Sequence, residues 1–93
     1  MEVESLISAL EETISFLQKS ESSAWSSLSP QEIIRRLEAE VGKAQNRKPV
    51  DVDLLDRLFA PTGVLQEISM DNGWGTKFLR LAEIVDRFTG SRE

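Results

Sequence analysis

The segment NGWGTKFLRLAEIVDRF, residues Asn72–Phe88, decides the expected fold. Asn72-Gly73 interrupts regular structure before it, Thr76 is placed to cap a helix, and Gly90 follows where that helix should end. Between these signals, apolar residues recur at helical spacing and cover an arc of about 220° on a helical wheel. They are Phe78, Leu79, Leu81, Ala82, Ile84, Val85 and Phe88. A helix so broadly apolar needs neighbours on several sides, so we expect the C-terminal helix to be the central one.

The composition is typical of one globular domain, with 93 residues, 40% of them hydrophobic and 29% charged. No apolar run approaches the roughly 18 residues of a membrane-spanning helix, and the N-terminal segment lacks the basic region of a secretory signal. The absence of cysteine excludes disulfides. We therefore expect a cytoplasmic protein in which residues 1–93 form a single helical domain.

The charge and the missing residue types narrow the possible functions. A net charge of −5 disfavours nucleic acid and anionic membranes as partners, because both require a basic surface. Without His, Cys or Tyr, the chain has no Ser-His or Cys-His nucleophile pair and lacks the preferred ligands of zinc, copper and haem. Paired carboxylates such as Glu67 and Asp71 suit glycosidase-type chemistry, but so small a domain has little room for the necessary pocket. We therefore expect that the protein is not an enzyme and that it binds no cofactor and no metal.

The remaining helices are predicted from periodicity and capping signals. Val3, Leu6, Ile7, Leu10, Ile14 and Leu17 form one apolar stripe. Ser29-Pro30-Gln31-Glu32 is a capping box with proline at the first helical position. Asp51 or Asp53 can cap a short helix that ends before Pro61. Together with Asp56 they also form an acidic cluster, but Leu54 and Leu55 interrupt the residue spacing that a calcium-binding loop requires. The chain should thus form an all-α bundle of four or five short helices at about 3–19, 30–44, 52–59, 63–71 and 76–89.

Residues 64–75 allow two interpretations. As a helix, Val64, Leu65 and Ile68 share one side, Thr62 is the cap and Asn72-Gly73 is the left-handed exit. As a hairpin, Ile68 and Met70 would pair across an Asn-Gly turn with the residues from Trp74 onward. The helix is favoured, because Leu65 and Glu67 break the alternation of a strand.

The second helix should bury Ile33, Ile34, Leu37, Val41 and Ala44 and expose Arg36, Glu40 and Lys43 on its polar face. Arg35-Arg36, together with Lys43, Arg47 and Lys48, make the end of this helix the most basic region of the chain. Cations at a helix C-terminus are favoured by the helix dipole alone. The alternative is a docking surface for an acidic partner.

Four apolar residues are candidates for a protein interface, with this chain or another. Phe16, Leu79 and Ile84 lie beside the predicted core stripes rather than within them, and Phe16 is either a second-layer contact or an exposed aromatic. Trp25, in the serine-rich segment 20–29, is expected to fold back onto the bundle. These candidates favour a non-catalytic protein-interaction module, such as an adaptor, a regulator or an immunity-type inhibitor, and a homodimer is one form it could take.

The start of the last helix is a candidate anion site, formed by Gly73, Gly75, Thr76, Lys77 and Arg80. Glycines allow a ligand to approach the backbone, and cations near a helix N-terminus are best explained by an anion bound there. This is the alternative function: binding of a phosphate- or carboxylate-bearing small ligand. A tight glycine turn that packs Trp74 into the core would explain the same residues without a ligand.

Overall fold

The computed structural model describes residues 2–21, 28–60 and 63–90. These residues form five α-helices and no strand: α1 (Glu2–Gln18), α2 (Pro30–Gln45), α3 (Val52–Leu58), α4 (Val64–Asp71) and α5 (Gly75–Thr89). The predicted all-α fold is confirmed, and residues 64–71 are a helix rather than a hairpin strand. Trp25 and Thr62 lie outside the described residues. No helix in the described ranges is both long enough and apolar enough to cross a bilayer.

Helix α5 is the central element, as predicted, because it packs against α1, α3 and α4. α1 and α5 run antiparallel: Phe16 meets Trp74 near one end, and Glu12 pairs with Arg80 further along. The main neighbour of α2 is α1 rather than α5. α1 also buries more than its predicted stripe. The additional buried residues are Ala9 and Thr13, and the Thr13 hydroxyl donates to the Ala9 carbonyl over 2.8 Å.

The core is continuous through all five helices. Phe59, just after α3, and Phe78 of α5 are almost fully buried, and their rings lie nearly parallel with centroids 6.1 Å apart. This contact fixes α3 against the first half of α5. The other fully buried large side chains are aliphatic: Leu6, Leu10, Leu17, Ile33, Leu37, Leu55, Leu65, Ile68, Leu81 and Val85. Burial of each such side chain contributes about 1.5–3 kcal/mol relative to exposure.

Three predicted helix boundaries are confirmed by their hydrogen bonds. The Ser29 hydroxyl accepts from the Glu32 amide at 3.2 Å, and the Asp51 carboxylate accepts from the Leu54 amide at 3.0 Å. Gly90 ends α5 with a left-handed backbone, φ +71°. These local signals are readable in sequence because each cap binds a group only three or four residues away.

The predicted cap at Thr76 is wrong, because α5 begins at Gly75 with Trp74 in the capping position. Thr76 is therefore already inside the helix, and Trp74 makes no side-chain capping bond. The α4 cap at Thr62 is also replaced, since Gly63 occupies that position. Both helices therefore begin at an N-cap residue whose side chain makes no capping hydrogen bond.

Glu40 was expected on the polar face of α2, but it is only 3% exposed. One carboxylate oxygen accepts from the backbone amide of Asp51 at 2.7 Å, and the other accepts from Lys43 Nζ at 3.0 Å. The buried carboxylate thus ties α2 to the start of α3 across the intervening loop. Such a contact depends on tertiary packing, so helical periodicity could not predict it.

Candidate functional site

The turn between α4 and α5 closes both helices within three residues. Gly73 has φ +82°, its amide donates to the Met70 carbonyl at 3.5 Å, and the Trp74 amide donates to the Ser69 carbonyl at 2.8 Å. This pair of bonds is a Schellman motif, which satisfies the free carbonyls at a helix end and requires a left-handed residue. The predicted exit at Asn72-Gly73 is confirmed.

The side chain of Trp74 fills the space between this turn and the end of α1. It is 5% exposed, and its ring stacks on Phe16 with centroids 4.9 Å apart and an interplanar angle of 8°. Its indole N–H donates to the Ser20 hydroxyl at 2.9 Å, and that hydroxyl donates to the Phe16 carbonyl at 2.8 Å. Trp74 is therefore a buried plug, as the turn interpretation predicted, and Phe16 is a second-layer contact.

Asn72 joins the same turn to the backbone that follows α1. Its side-chain carbonyl accepts from the Glu21 amide at 3.0 Å, and its NH₂ group donates to the Glu21 carbonyl at 3.0 Å. The NH₂ group also donates to the Ile68 carbonyl at 2.9 Å. From the sequence, Asn72 was expected only as part of a break or turn, at the exit of a helix or in a hairpin. Its role in holding a residue 51 positions away was missed, because no local pattern signals it.

The two cations of the candidate anion site each face a side chain of α1. Lys77 Nζ lies 5.5 Å from the centre of the Phe16 ring, the same ring that stacks on Trp74. Arg80 forms an ion pair with Glu12. Both cations thus have partners on α1 within the chain. Gly73 and Gly75 are explained by the turn and by close packing, since a Cβ on Gly75 would lie 3.3 Å from Met70 Cγ. Binding of an anionic ligand here stays a prediction.

The three described interface candidates lie on different surfaces. Phe16 is half-buried between Lys77 and Trp74, and Ile84 is half-buried in the seam between α1 and α5. Leu79 is 62% exposed and lies about 140° around α5 from Ile84. Leu79 alone has the exposure that an interface residue needs.

Met70, which was not among the interface residues expected from the sequence, is 65% exposed. Its side chain covers Gly75, and Leu79 follows Gly75 by one helical turn on the same side of α5. We call Met70, Gly75 and Leu79 the apolar patch. The signal that could have revealed it is the glycine one turn before an exposed leucine, which leaves room for a side chain from α4.

Comparison with protein-family models, with curated proteins and with solved structures yields no significant match to this chain. Any function assigned to the molecule therefore has to follow from its own residues.

Proposed function

We propose that this protein is a small, non-catalytic protein-interaction module of the cytoplasm, and that the apolar patch is its contact surface. The observation that carries the proposal is that Met70 and Leu79 are 65% and 62% exposed and both lie beside Gly75. A Cβ on Gly75 would be 3.3 Å from Met70 Cγ, and Leu79 follows Gly75 by one turn of α5. Single exposed apolar residues are common on protein surfaces, whereas neighbouring ones that form a continuous patch mark interaction sites.

The surroundings of the patch suit a protein contact. Gly75 allows the Met70 side chain to lie close to α5, because the glycine has no side chain of its own. Polar residues border the patch: Thr76 and Glu83 are exposed on α5, and Gln66 Nε2 lies 3.7 Å from Met70 Sδ. An apolar centre with a polar rim is the usual composition of a protein interface. Methionine adds adaptability, since its flexible thioether can fit partners of different shape.

A binding role is also supported by how the charged groups are used. The chain contains no His, Cys or Tyr, so acid–base chemistry would depend on carboxylates and lysines. Glu12, Glu40 and Glu83 each pair with a cation of the same chain. Among the described residues, no group of three or more potential metal-ligating side chains occurs. An adaptor, a regulator or an inhibitor needs none of these, and self-association through the patch is a further form of the same function.

The test compares Leu79→Asp with Gln31→Asp as matched control. Both variants add one negative charge at an exposed helical position, but Gln31 lies in the first turn of α2, away from the patch. Each tagged protein is used to capture partners from lysate of its source, and sedimentation velocity measures self-association. We expect a partner, or a dimer, that is retained by the unmodified chain and by Gln31→Asp and is lost with Leu79→Asp.

Circular dichroism must show that Leu79→Asp keeps its helices, which its exposure predicts. Phe16→Ser is a poor probe of the interface, because it would remove the ring on which Trp74 stacks and so destabilise the fold. If Leu79→Asp changes neither partner capture nor oligomeric state, the patch is not an interface and the proposal loses its support.

A further inference from the structure

The opposite end of the bundle contains a groove of about 1070 Å³ where α1 begins and where α2 and α5 end. Its apolar floor is formed by Val3, Ile7, Ala44, Val50 and Phe88. Val3 is 42% exposed, and Ile7, Val50 and Phe88 are half-buried, so the groove is open to solvent along its length. Val3, Ile7 and Phe88 were expected in the apolar stripes of the first and last helices, and here they line the groove.

Two exposed cations, Arg47 and Lys48, line the same groove. Neither forms an ion pair with a carboxylate in the described part of the chain, in contrast to Lys43, which pairs with Glu40. The groove also contains Glu4, on the α1 side. Charge is therefore divided across it, with free positive charge on the side of the loop after α2 and negative charge on the side of α1.

The backbone at Arg47 supplies an independent observation. Arg47 has φ +57°, and in the described ranges it is the one non-glycine residue with positive φ. It ends α2 with the two bonds of a Schellman motif: its amide donates to the Ala44 carbonyl at 3.2 Å, and the Lys48 amide donates to the Lys43 carbonyl at 2.8 Å. Glycine is the usual residue at this position because it adopts positive φ without strain. Strained residues of this kind cluster at functional sites, and here the strained residue brings a cation to the groove.

We propose that the groove binds an amphipathic helix of a partner protein, whose apolar stripe covers the floor and whose acidic edge lies against Arg47 and Lys48. This inference deepens the proposed function and rests on it, since it also requires a protein partner. It adds a second contact surface: Phe88 lies about 180° around α5 from Leu79, and roughly 13 Å further along the helix axis. The charge complementarity specifies an acidic partner even though the chain itself has a net charge of −5.

The geometry favours a helix over other occupants. An extended peptide binds by adding a strand to an exposed sheet edge, and the described residues contain no strand. A proline-rich peptide needs a groove lined by several aromatic rings, whereas Phe88 is the aromatic residue here. Small ligands bury about 70–90% of their surface in a pocket, which an open groove with an exposed Val3 and Pro49 cannot provide. Helix-in-groove binding requires only an apolar channel with complementary charges at its edges.

The test begins with a phage-displayed library of helix-forming 16-residue peptides selected on the immobilised full chain. We expect the selected sequences to share an apolar stripe at i, i+3, i+4 and i+7 with Asp or Glu along one edge. The best peptide is then synthesised with a fluorophore, and its affinity is measured by anisotropy for the unmodified chain and for variants. Backbone amide NMR shifts on titration should locate the peptide at Ile7, Val50 and Phe88.

The decisive variant is Arg47→Glu with Lys48→Glu, which should weaken binding at least about tenfold at low salt, because close charge pairs become repulsive. Its matched control is Arg35→Glu with Arg36→Glu, two exposed cations on another face of α2, which should change the affinity less than about twofold. Val3→Asp places a charge in the floor at an exposed first-turn position and should abolish binding while the chain stays folded.

Selection of no peptide, selection of basic peptides, or equal loss of affinity in both double variants would overturn the proposal. Titration with laurate tests small anionic amphiphiles as the alternative occupant. If no peptide binds and laurate shifts the NMR signals of the floor residues, the groove is assigned to such amphiphiles instead. Leu79→Asp must bind the peptide normally. If it does so yet loses no endogenous partner, the apolar-patch proposal fails while the groove proposal stands, so the two failures are distinguishable.

Discussion

The two ends of α1 both contain apolar residues, but one end is covered by other parts of the chain and the other is exposed to solvent. At one end, which we call the closed end, Phe16 stacks on Trp74, and Asn72 binds the backbone of Glu21. At the other, which we call the open end, Val3 and Phe88 line a groove that remains exposed to solvent.

The difference lies in how polar groups are used. At the closed end, the indole N–H of Trp74, the hydroxyl of Ser20 and the amide of Asn72 all bind partners within the chain. At the open end, the cations of Arg47 and Lys48 form no ion pair with the described residues. Polar groups satisfied internally stabilise a fold, whereas unpartnered charges beside apolar surface remain available to a second molecule.

The largest predicted effect tests this comparison directly. Trp74→Ala removes a buried ring, its stack on Phe16 and its bond to Ser20, and should lower the free energy of unfolding by about 3–5 kcal/mol. Phe88→Ala, the matched truncation at the open end, should cost about 1–2 kcal/mol because Phe88 is only half-buried. Urea denaturation followed by circular dichroism measures both. Equal costs would show that the open end is as closely packed as the closed one.

A smaller loss is expected for Asn72→Ala. The substitution leaves the Glu21 amide and carbonyl without their side-chain partner and removes the bond to Ile68, so about 2 kcal/mol of stability should be lost. Hydrogen exchange should quicken at the Glu21 amide before it quickens in the helices. Protection of that amide in the variant would mean that the end of α1 is held by Trp74 alone.

Two glycines should respond to alanine with opposite signs. Gly73→Ala places a side chain at φ +82° and should cost about 1 kcal/mol, because left-handed backbone disfavours a Cβ. Gly42→Ala, inside α2 with nothing within 4 Å of the added Cβ, should stabilise by roughly 0.5–1 kcal/mol. Thermal unfolding of the two variants gives both signs. A gain in stability at Gly73 would contradict the Schellman closure of α4.

The parts of this fold that could be predicted from sequence are those determined by near neighbours. Ser29 and Asp51 cap helices through amides three residues away, and Gly90 ends α5 locally. The apolar spacing of α5 predicted its central place. Long-range contacts could not be predicted in this way. One example is the hydrogen bond that the Glu40 carboxylate accepts from the Asp51 amide at the start of α3.

The candidate sites show the same limit. Leu79 is exposed, but its partner in the apolar patch, Met70, comes from another helix, and only the packing over Gly75 brings the two together. Thr76 was assigned as a cap because its side chain suits that role, yet the bonds of the glycine turn start α5 one residue earlier. At Thr76, the backbone bonds of the turn therefore overrode the preference of a side chain.

The smallest predicted effect concerns the strained residue of the open end. Arg47→Gly relieves the left-handed backbone but increases the conformational freedom of the unfolded chain, so the net result should be a gain of roughly 0.5–1 kcal/mol. Arg36→Gly removes an equivalent exposed cation from the interior of α2 and should instead cost about 1 kcal/mol. Urea denaturation separates these outcomes. If Arg47→Gly destabilises the chain, the arginine side chain stabilises the fold by more than its backbone strain costs, and its charge is not free for a partner. If Arg47→Gly stabilises the chain, then the native arginine costs stability while it supplies positive charge to the groove. That combination is expected of a residue that serves binding rather than folding.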